Sequence, residues 1–585
     1  MISSSAEQRT TLLEEVINSL PTNGLWHRLT PVPQVYKKRG VEVVLSGNVL
    51  IADEMSIGIH IGLMPSFPLS LPLIFLDPVR VLDRIPHLEN DGYVCYIKGD
   101  GQYLNYQDPI AIIKSALERA IDTLEKGYRK ENVVDFTDGF AEYWGRLDKV
   151  TEQRSVIQAD DKAKEVFYAL IPPSDKKAFS YVADDEASLR RFIPQVRKQS
   201  FTLQTALFIP LKEGTLLIPP WFDECWTLDD IREVFEQNTT QETQQFVKKA
   251  TRKFKSAELV VFALPRPKGG FALFGLRFTG IQNAHPLIRG SKVKQTLPID
   301  IERLDRAYVT PRSGGALSLN NKHIALVGCG AIGSYIAVEL ARAGIGKFTF
   351  IDSDILTFDN VYRHAVGQYA VGLPKVTALK NDIERRVPYV DIQTIPKRIE
   401  SLLTAQKFDP SHCDAIVMAT GEPTINLYMN EWLLQQKANV PVLYTWLEPY
   451  GIGGHCLLRN DPSKPGCLQC LYQLTDEGTI ENRASFAKSG QSFLKDIAGC
   501  GSLFTPFGSL DVARTATSAS QLLINSLHGE SDNLLVSWKG DSQAFLTAGY
   551  QLANRYLVDE SVLQEQQTQF QRADCPVCGH NHDRA

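Results

Sequence analysis

The stretch HIALVGCGAIGSYIAVELARAGIGKFTFID, starting at His323, restricts the possible folds more than any other part of the 585 residues. Its apolar run Ile324 to Val327 fits a buried strand. GCGAIG then turns the chain tightly into a helix whose exposed N–H groups and positive end can hold phosphate. Gly328 permits the turn, Gly330 lets phosphate approach the backbone, and Gly333 lets helix and strand pack closely. Asp352 follows a second strand about 20 residues later, where a ribose hydroxyl needs an acceptor. This is a nucleotide site, and so far it fits a dinucleotide as well as ATP.

The residues after Asp352 favour adenylation. DSDILTFDNVYRHAVGQYAVGLPK sets Asp354, Asn360, Arg363 and Lys375 just beyond the strand end. Two cations gathered there suit a nucleotide's phosphates, and hydride transfer does not require them. Further on, GCLQC and DCPVCGHNH give Cys467, Cys470, Cys575 and Cys578, two pairs that can close a tetrahedral thiolate site. Their separation exceeds ordinary zinc-ribbon spacing, so two unrelated turns or redox pairs are the other reading. His580 and His582 are then surplus ligand types in a solvated tail. Between the pairs, in DIAGCGSLFTPFGSLDVARTATSA, Cys500 is flanked by glycines ahead of a helical run. A thiol on such a segment can travel to an adenylate and exchange AMP for a thioester; a structural thiol is the alternative. Cys329, Cys413 and Cys456 read as structural.

IALVGCGAIGS, the DxD followed by NxxR and a downstream Lys, and the CxxC pairs resemble the ThiF-type family of ubiquitin-activating and molybdopterin- or thiamine-synthesis adenylyltransferases, over about residues 305 to 585. The resemblance implies a Rossmann-like domain in which the C-terminal carboxylate of a partner protein attacks the α-phosphate of ATP, giving an acyl-adenylate and pyrophosphate. Carried over residue by residue, Asp352 binds ribose, Asn360 and Arg363 bind phosphates, and Lys375 meets the charge of the transition state. It also implies Mg2+, a structural Zn2+ on the four cysteines, and a catalytic cysteine between the pairs, at Cys500. In DAIVMATGEPTIN, Gly421 stands where many members carry a magnesium-binding Asp, which makes Glu422 the candidate ligand. Members usually dimerise, and an arginine from the partner subunit often reaches the ATP; Arg306 and Arg312 are the nearby candidates.

The N-terminal part holds a lone cysteine in PHLENDGYVCYIKGDG. FPLSLPLIFLDP, then GYVC, then a helix capped by Asp108 resemble ubiquitin-conjugating enzymes, in which a strand following a YPxxxP-like motif precedes the active cysteine. The match covers roughly residues 5 to 130. It implies that Cys95 accepts a thioester. The family's His-Pro-Asn is absent, with His87 and Asn90 near, so that Asn90 or a backbone group takes the oxyanion role. Pro68 and Pro72 bracket an extended segment in this reading. The helix carries Ile110, Ile113, Leu117, Ile121 and Leu124 on one stripe and stops at Gly127.

Three blocks follow: a conjugating-like α+β domain at 1–148, an α+β linker domain at 149–300, and an adenylation domain with catalytic cysteine and zinc site at 301–585. The whole is a multi-domain α/β chain. The linker shows no catalytic constellation, and Cys225 in WFDECW reads as a packed thiol. This order resembles the fused activating–conjugating enzymes of bacterial CBASS anti-phage operons. The resemblance implies that the C-terminus of a cGAS-like nucleotidyltransferase is adenylated, passed from Cys500 to Cys95 and attached to an amine on a target. A formal net charge of −5 gives no basic excess for nucleic acid, and the N-terminus lacks an apolar stretch long enough for a signal or membrane span. Ten cysteines, four of them in CxxC pairs, suit metal binding in a reducing cytoplasm. The rival readings are a sulfur-carrier adenylyltransferase, an NAD-dependent oxidoreductase and a non-catalytic scaffold.

Overall fold

The computed structural model describes residues 6–579 except 22–23, 53, 98–100, 102, 172–178, 193–202, 475–479, 497–502 and 531. It divides into two compact units, Met1–Asp305 and Arg306–Ala585. Among the described residues no helix is long and apolar enough to cross a membrane.

The first unit begins with a four-stranded antiparallel sheet, His27–Arg28, Val43–Ile51, Met55–Leu63 and Leu73–Asp77, each strand paired with the next. The helix Pro109–Tyr128 covers it. Asp108 starts that helix by accepting the Ala111 N–H at 3.0 Å, and Pro109 loses no bond at the first turn. Its buried face, including Ile113, Ala116, Leu117, Ala120 and Leu124, packs into one core with Leu45, Ile59, Ile61 and Leu76. Two local expectations change. Gly127 does not stop the helix: it lies buried inside it, where a Cβ would meet Ile85 Cβ at 2.8 Å, so close packing rather than termination calls for glycine. The segment from Pro68 to Pro72 is turn rather than extended, and the strand begins only at Leu73.

The rest of the first unit is a closed seven-stranded barrel. In chain order its strands are Thr151–Ser155, Lys164–Ile171, Phe179–Ala183, Leu203–Pro210, Ala257–Pro265, Phe271–Thr279 and Gln295–Arg303. Closure leaves no exposed sheet edge. Helices Leu228–Asn238, capped by Thr227 and Asp230, and Gln241–Ala250 pack outside it. Phe140 and Trp144 lie against Phe274 of the barrel, with the Trp144 indole N–H donating to Gly275 O at 3.2 Å.

The second unit is a Rossmann-like sheet of seven strands. Five run parallel, in the spatial order Asp391–Ile395, Lys347–Ile351, His323–Val327, Ala415–Met418 and Val442–Leu447, and Gly453–Arg459 and Leu534–Lys539 add antiparallel at one edge. From His323–Val327 the chain builds two strands outward on one side, then returns to the other. That reversal opens a crevice beyond the carboxyl ends of the strands ending at Val327 and Met418, the usual ligand position in such sheets.

Candidate active site

The crevice begins at the glycine turn. Gly328 has φ +90°, and a Cβ there would also meet Ala419 O at 2.5 Å. A Cβ on Gly333 would lie 2.0 Å from Gly328 O, so the helix Ala331–Ala343 can sit this close to the strand only with glycine there. Gly330 faces open space, and the amino end of the helix points its unpaired N–H groups and positive dipole into the crevice. Asp352 holds this turn from the next strand: its Oδ2 accepts the Cys329 N–H at 2.7 Å and its Oδ1 accepts the Asp354 N–H at 2.7 Å. Behind the turn, His364 Nε2–H donates to Cys329 O at 2.8 Å while its Nδ1 accepts the Val366 N–H at 3.1 Å. Burial pushes the His364 imidazole below its ordinary value, in keeping with that neutral form.

A cavity of about 770 Å³ opens from this turn and is lined by Gly330, Asn360, Arg363 and Lys375. Lys375 is nearly buried at the start of helix Lys375–Arg386, and its Nζ pairs with Asp354 Oδ2 at 2.8 Å. Arg363 lies over the Phe507 ring at 4.9 Å and reaches Thr505 O at 3.5 Å. Asn360 caps its own turn, accepting the Thr357 N–H at 3.1 Å. Gly328, Asp352, Asp354 and Glu422 line a smaller recess of about 90 Å³, which shares Thr420 with the larger cavity. A helix amino end, two cations and room for a ligand fit a nucleotide triphosphate. They fit it better than an uncharged ligand, which would bring no anion to Arg363 and none to Lys375 beyond Asp354.

Cys467, Cys470, Cys575 and Cys578 come together with all sulfurs within 4.8 Å of one another; Cys467 and Cys575 are 3.8 Å apart, Cys470 and Cys578 3.4 Å. Zn–S bonds of about 2.3 Å place tetrahedral sulfurs roughly 3.8 Å apart, so this group can hold a metal ion. Without a cation the four sulfurs share their protons unequally: hydrogen bonds from their neighbours push Cys470 and Cys575 below the ordinary thiol value and drive Cys467 and Cys578 above it. Among the described residues no other group of three or more His, Cys, Asp or Glu side chains converges like this.

In the first unit, the Cys95 segment folds as a hairpin. Glu89 N–H donates to Tyr93 O at 2.9 Å, Leu88 bridges Val94, and Cys95 N–H donates to His87 O at 2.8 Å. Arg39 pairs with both Glu89 and Asp91 at the tip, and Arg146 with Glu89 at 2.7 Å. Cys95 is exposed on this braced loop, and Asn90 is exposed near its tip.

Comparison with known proteins fits these two centres. Residues 305–529 match the ThiF family and residues 34–152 match Prokaryotic E2 family B. The chain is a ubiquitin-activating-like adenylyltransferase fused to a conjugating-like domain. A relative from Pseudomonas aeruginosa, the ATP-dependent ubiquitin transferase-like protein Cap2, is 25% identical over 489 residues, 80% of this chain and 85% of its own. A Vibrio cholerae protein of the same name is 24% identical over 511 residues, 79% and 84% of the two chains. Among solved structures, Escherichia coli MccB with MccA-N7isoASN is 19% identical with a TM-score of 0.33, covering 45% of this chain and 68% of that one.

Within the activating-like domain, the structure gathers Gly330, Asn360, Arg363 and Lys375 around one cavity and places Gly328, Asp352 and Asp354 beside it. Cys500 lies outside the described residues, as do His580 and His582. Arg306 is tied to Asn320 O at 3.1 Å, whereas Arg312 is exposed and rests on the Tyr308 ring at 4.9 Å. Burial keeps Cys329, Cys413 and Cys456 protonated, Cys413 pushed up to about 11 and Cys456 to about 12. Cys225 is a correction: it is exposed, while its neighbours Phe222 and Trp226 pack into the core. The sequence reading missed Thr420, Asn426, Trp446 and Phe507 in the cavity wall. Thr420 and Trp446 could have been found by asking which residues lie at the carboxyl ends of parallel strands.

Proposed function

We propose that this enzyme activates the C-terminal carboxylate of a partner protein with ATP, captures it as a thioester on Cys500, passes it to Cys95 and joins it to a target amine. The observation that carries the proposal is the cavity combining a helix amino end with Asn360, Arg363 and Lys375. The helix and both cations hold the phosphates in line with the incoming carboxylate, and Lys375 and Arg363 stabilise the charge that grows on the α-phosphate. Asp352 takes the ribose. Mg2+ accompanies the phosphates, with Glu422 as the protein's candidate ligand, and Zn2+ on the four cysteines fastens the C-terminal segment. Exchange of AMP for the Cys500 sulfur gives a thioester, and transthiolation moves the acyl group to the exposed Cys95.

The partner in this reading is a cGAS-like nucleotidyltransferase of a CBASS anti-phage system, and the enzyme works in the cytoplasm as a homodimer. Of the two arginines considered for a role across the dimer, Arg312 is the one with an exposed guanidinium. The domain boundaries proposed are 1–148, 149–300 and 301–585. ATP–pyrophosphate exchange tests the first step. Exchange that depends on an added cGAS-like nucleotidyltransferase, and disappears when its C-terminal residues are removed, is the expected result. Exchange that ignores the C-terminus, or requires a sulfur-carrier protein instead, overturns it. The sulfur-carrier reading accounts for the ATP cavity but gives an exposed Cys95 no task.

A further inference from the structure

The hairpin that carries Cys95 also carries a histidine that meets an aspartate of the helix Val134–Asp138. Leu88 and Val94 face each other across the hairpin and are fully buried. The next residues along, His87 and Cys95, are joined by the Cys95 N–H to His87 O bond of 2.8 Å; Cys95 is exposed and His87 half-buried. His87 has φ +64°, a backbone region costly for a residue with a Cβ. Two contacts keep it there: its N–H donates to Tyr143 Oη at 2.7 Å, and its Nε2 lies 3.1 Å from Asp135 Oδ2. Both side chains remain open to solvent, His87 at 37% and Asp135 at 33%. The nearby cations Lys268 and Arg266 are directed to Asp138 instead, Lys268 at 2.7 Å.

We propose that His87, oriented by Asp135, takes the proton of the amine that attacks the Cys95 thioester; this rests on the acceptor role given to Cys95 above. Nε2–H donates to Asp135, which leaves the Nδ1 lone pair as the base. The amine nitrogen attacks the thioester carbonyl carbon, so an N–C bond forms and the C–S bond breaks. The proton leaves that nitrogen for Nδ1 of His87, and the sulfur departs as the Cys95 thiolate. Asp135 stabilises the imidazolium, which returns the proton to the thiolate. The products are an amide and the Cys95 thiol, with the imidazole again neutral. The strained backbone is the cost of holding His87 across the hairpin from Cys95 while its ring meets Asp135.

The test uses the full chain and a synthetic peptide ending in glycine, supplied as its mercaptoethanesulfonate thioester, with the acyl group located on Cys95 by mass spectrometry. Single-turnover discharge is then followed with lysine or with hydroxylamine, a nucleophile that needs little help in losing its proton. His87→Ala should load like wild type, lose about 100-fold in discharge to lysine, and change about 2-fold or less with hydroxylamine, the pattern of a lost general base. Asp135→Asn should show a smaller loss of the same kind. Added imidazole should restore lysine discharge in His87→Ala, and His87→Gln should remain slow. Lysine discharge at the wild-type rate in His87→Ala overturns the proposal. So does a parallel fall with hydroxylamine, which would mean lost oxyanion stabilisation or a disturbed hairpin. If wild type takes no acyl group on Cys95, the acceptor role fails and the proton acceptor fails with it.

Discussion

Lys375 is nearly buried and has Asp354 as its counter-ion, so it sits in the cavity already aimed and already desolvated. A charge fixed in this way costs no reorganisation when negative charge grows on a phosphate. Lys375→Ala and Arg363→Ala should therefore each lower partner-dependent ATP–pyrophosphate exchange by ~100-fold, the scale for one lost transition-state donor. Unchanged exchange in both variants would remove these residues from the chemistry. Gly333→Ala makes a different prediction, because its Cβ would fall 2.0 Å from a backbone oxygen that cannot yield without moving a strand. The thermal unfolding of the second unit should show a loss of at least ~1–3 kcal/mol, and an unshifted transition would contradict the packing described. These glycines were legible in the sequence because each backbone demand admits one residue type. The two amides held by Asp352 were not, since they depend on where the chain returns after the turn.

The barrel contains a buried histidine that makes it acid-sensitive. Burial pushes His285 down from 6.5 to about 4, with its Nδ1 accepting the Leu287 N–H at 3.3 Å. Above pH 6.5 the ring is neutral whether the chain is folded or not. Below that the unfolded chain takes up a proton that the folded one refuses, so stability is lost as pH falls from 6.5 towards 4, in total roughly 3 kcal/mol. His285→Asn, which keeps an acceptor for Leu287, should flatten the fall in the first unit's melting temperature between pH 7 and pH 4; parallel curves would show that other groups dominate. In the second unit, the four-cysteine group joins a CxxC turn to a segment more than a hundred residues later. Elemental analysis should find about one zinc per chain, and its removal should destabilise this unit in particular; zinc-free protein with four titratable thiols and an unchanged melting temperature would contradict the assignment. At this scale the sequence announced the helix Pro109–Tyr128 through its cap and its apolar stripe. It did not announce barrel closure, because alternation along a strand says which side is buried and not which strand lies beside it. Nor could it reveal the His87–Asp135 contact, which joins a hairpin to a helix 48 residues away.

Across the whole chain, the proposed relay has the activating-like domain make a thioester and the conjugating-like domain receive it on Cys95, which is exposed. The order of the two thiols is the central claim. Adenylation needs the phosphate site alone, so Cys500→Ala should still exchange pyrophosphate but carry no partner on either cysteine. Cys95→Ala should stall one step later, because its donor is charged and its acceptor is missing. The most direct measurement is a gel run without reductant after incubating each variant with ATP and a cGAS-like nucleotidyltransferase. A thiol-labile band, heavier by one partner, should form at Cys500 in Cys95→Ala and be absent from Cys500→Ala, with target amines modified by neither. Modification of target amines at the wild-type rate by Cys95→Ala would contradict the relay and return Cys95 to a structural role.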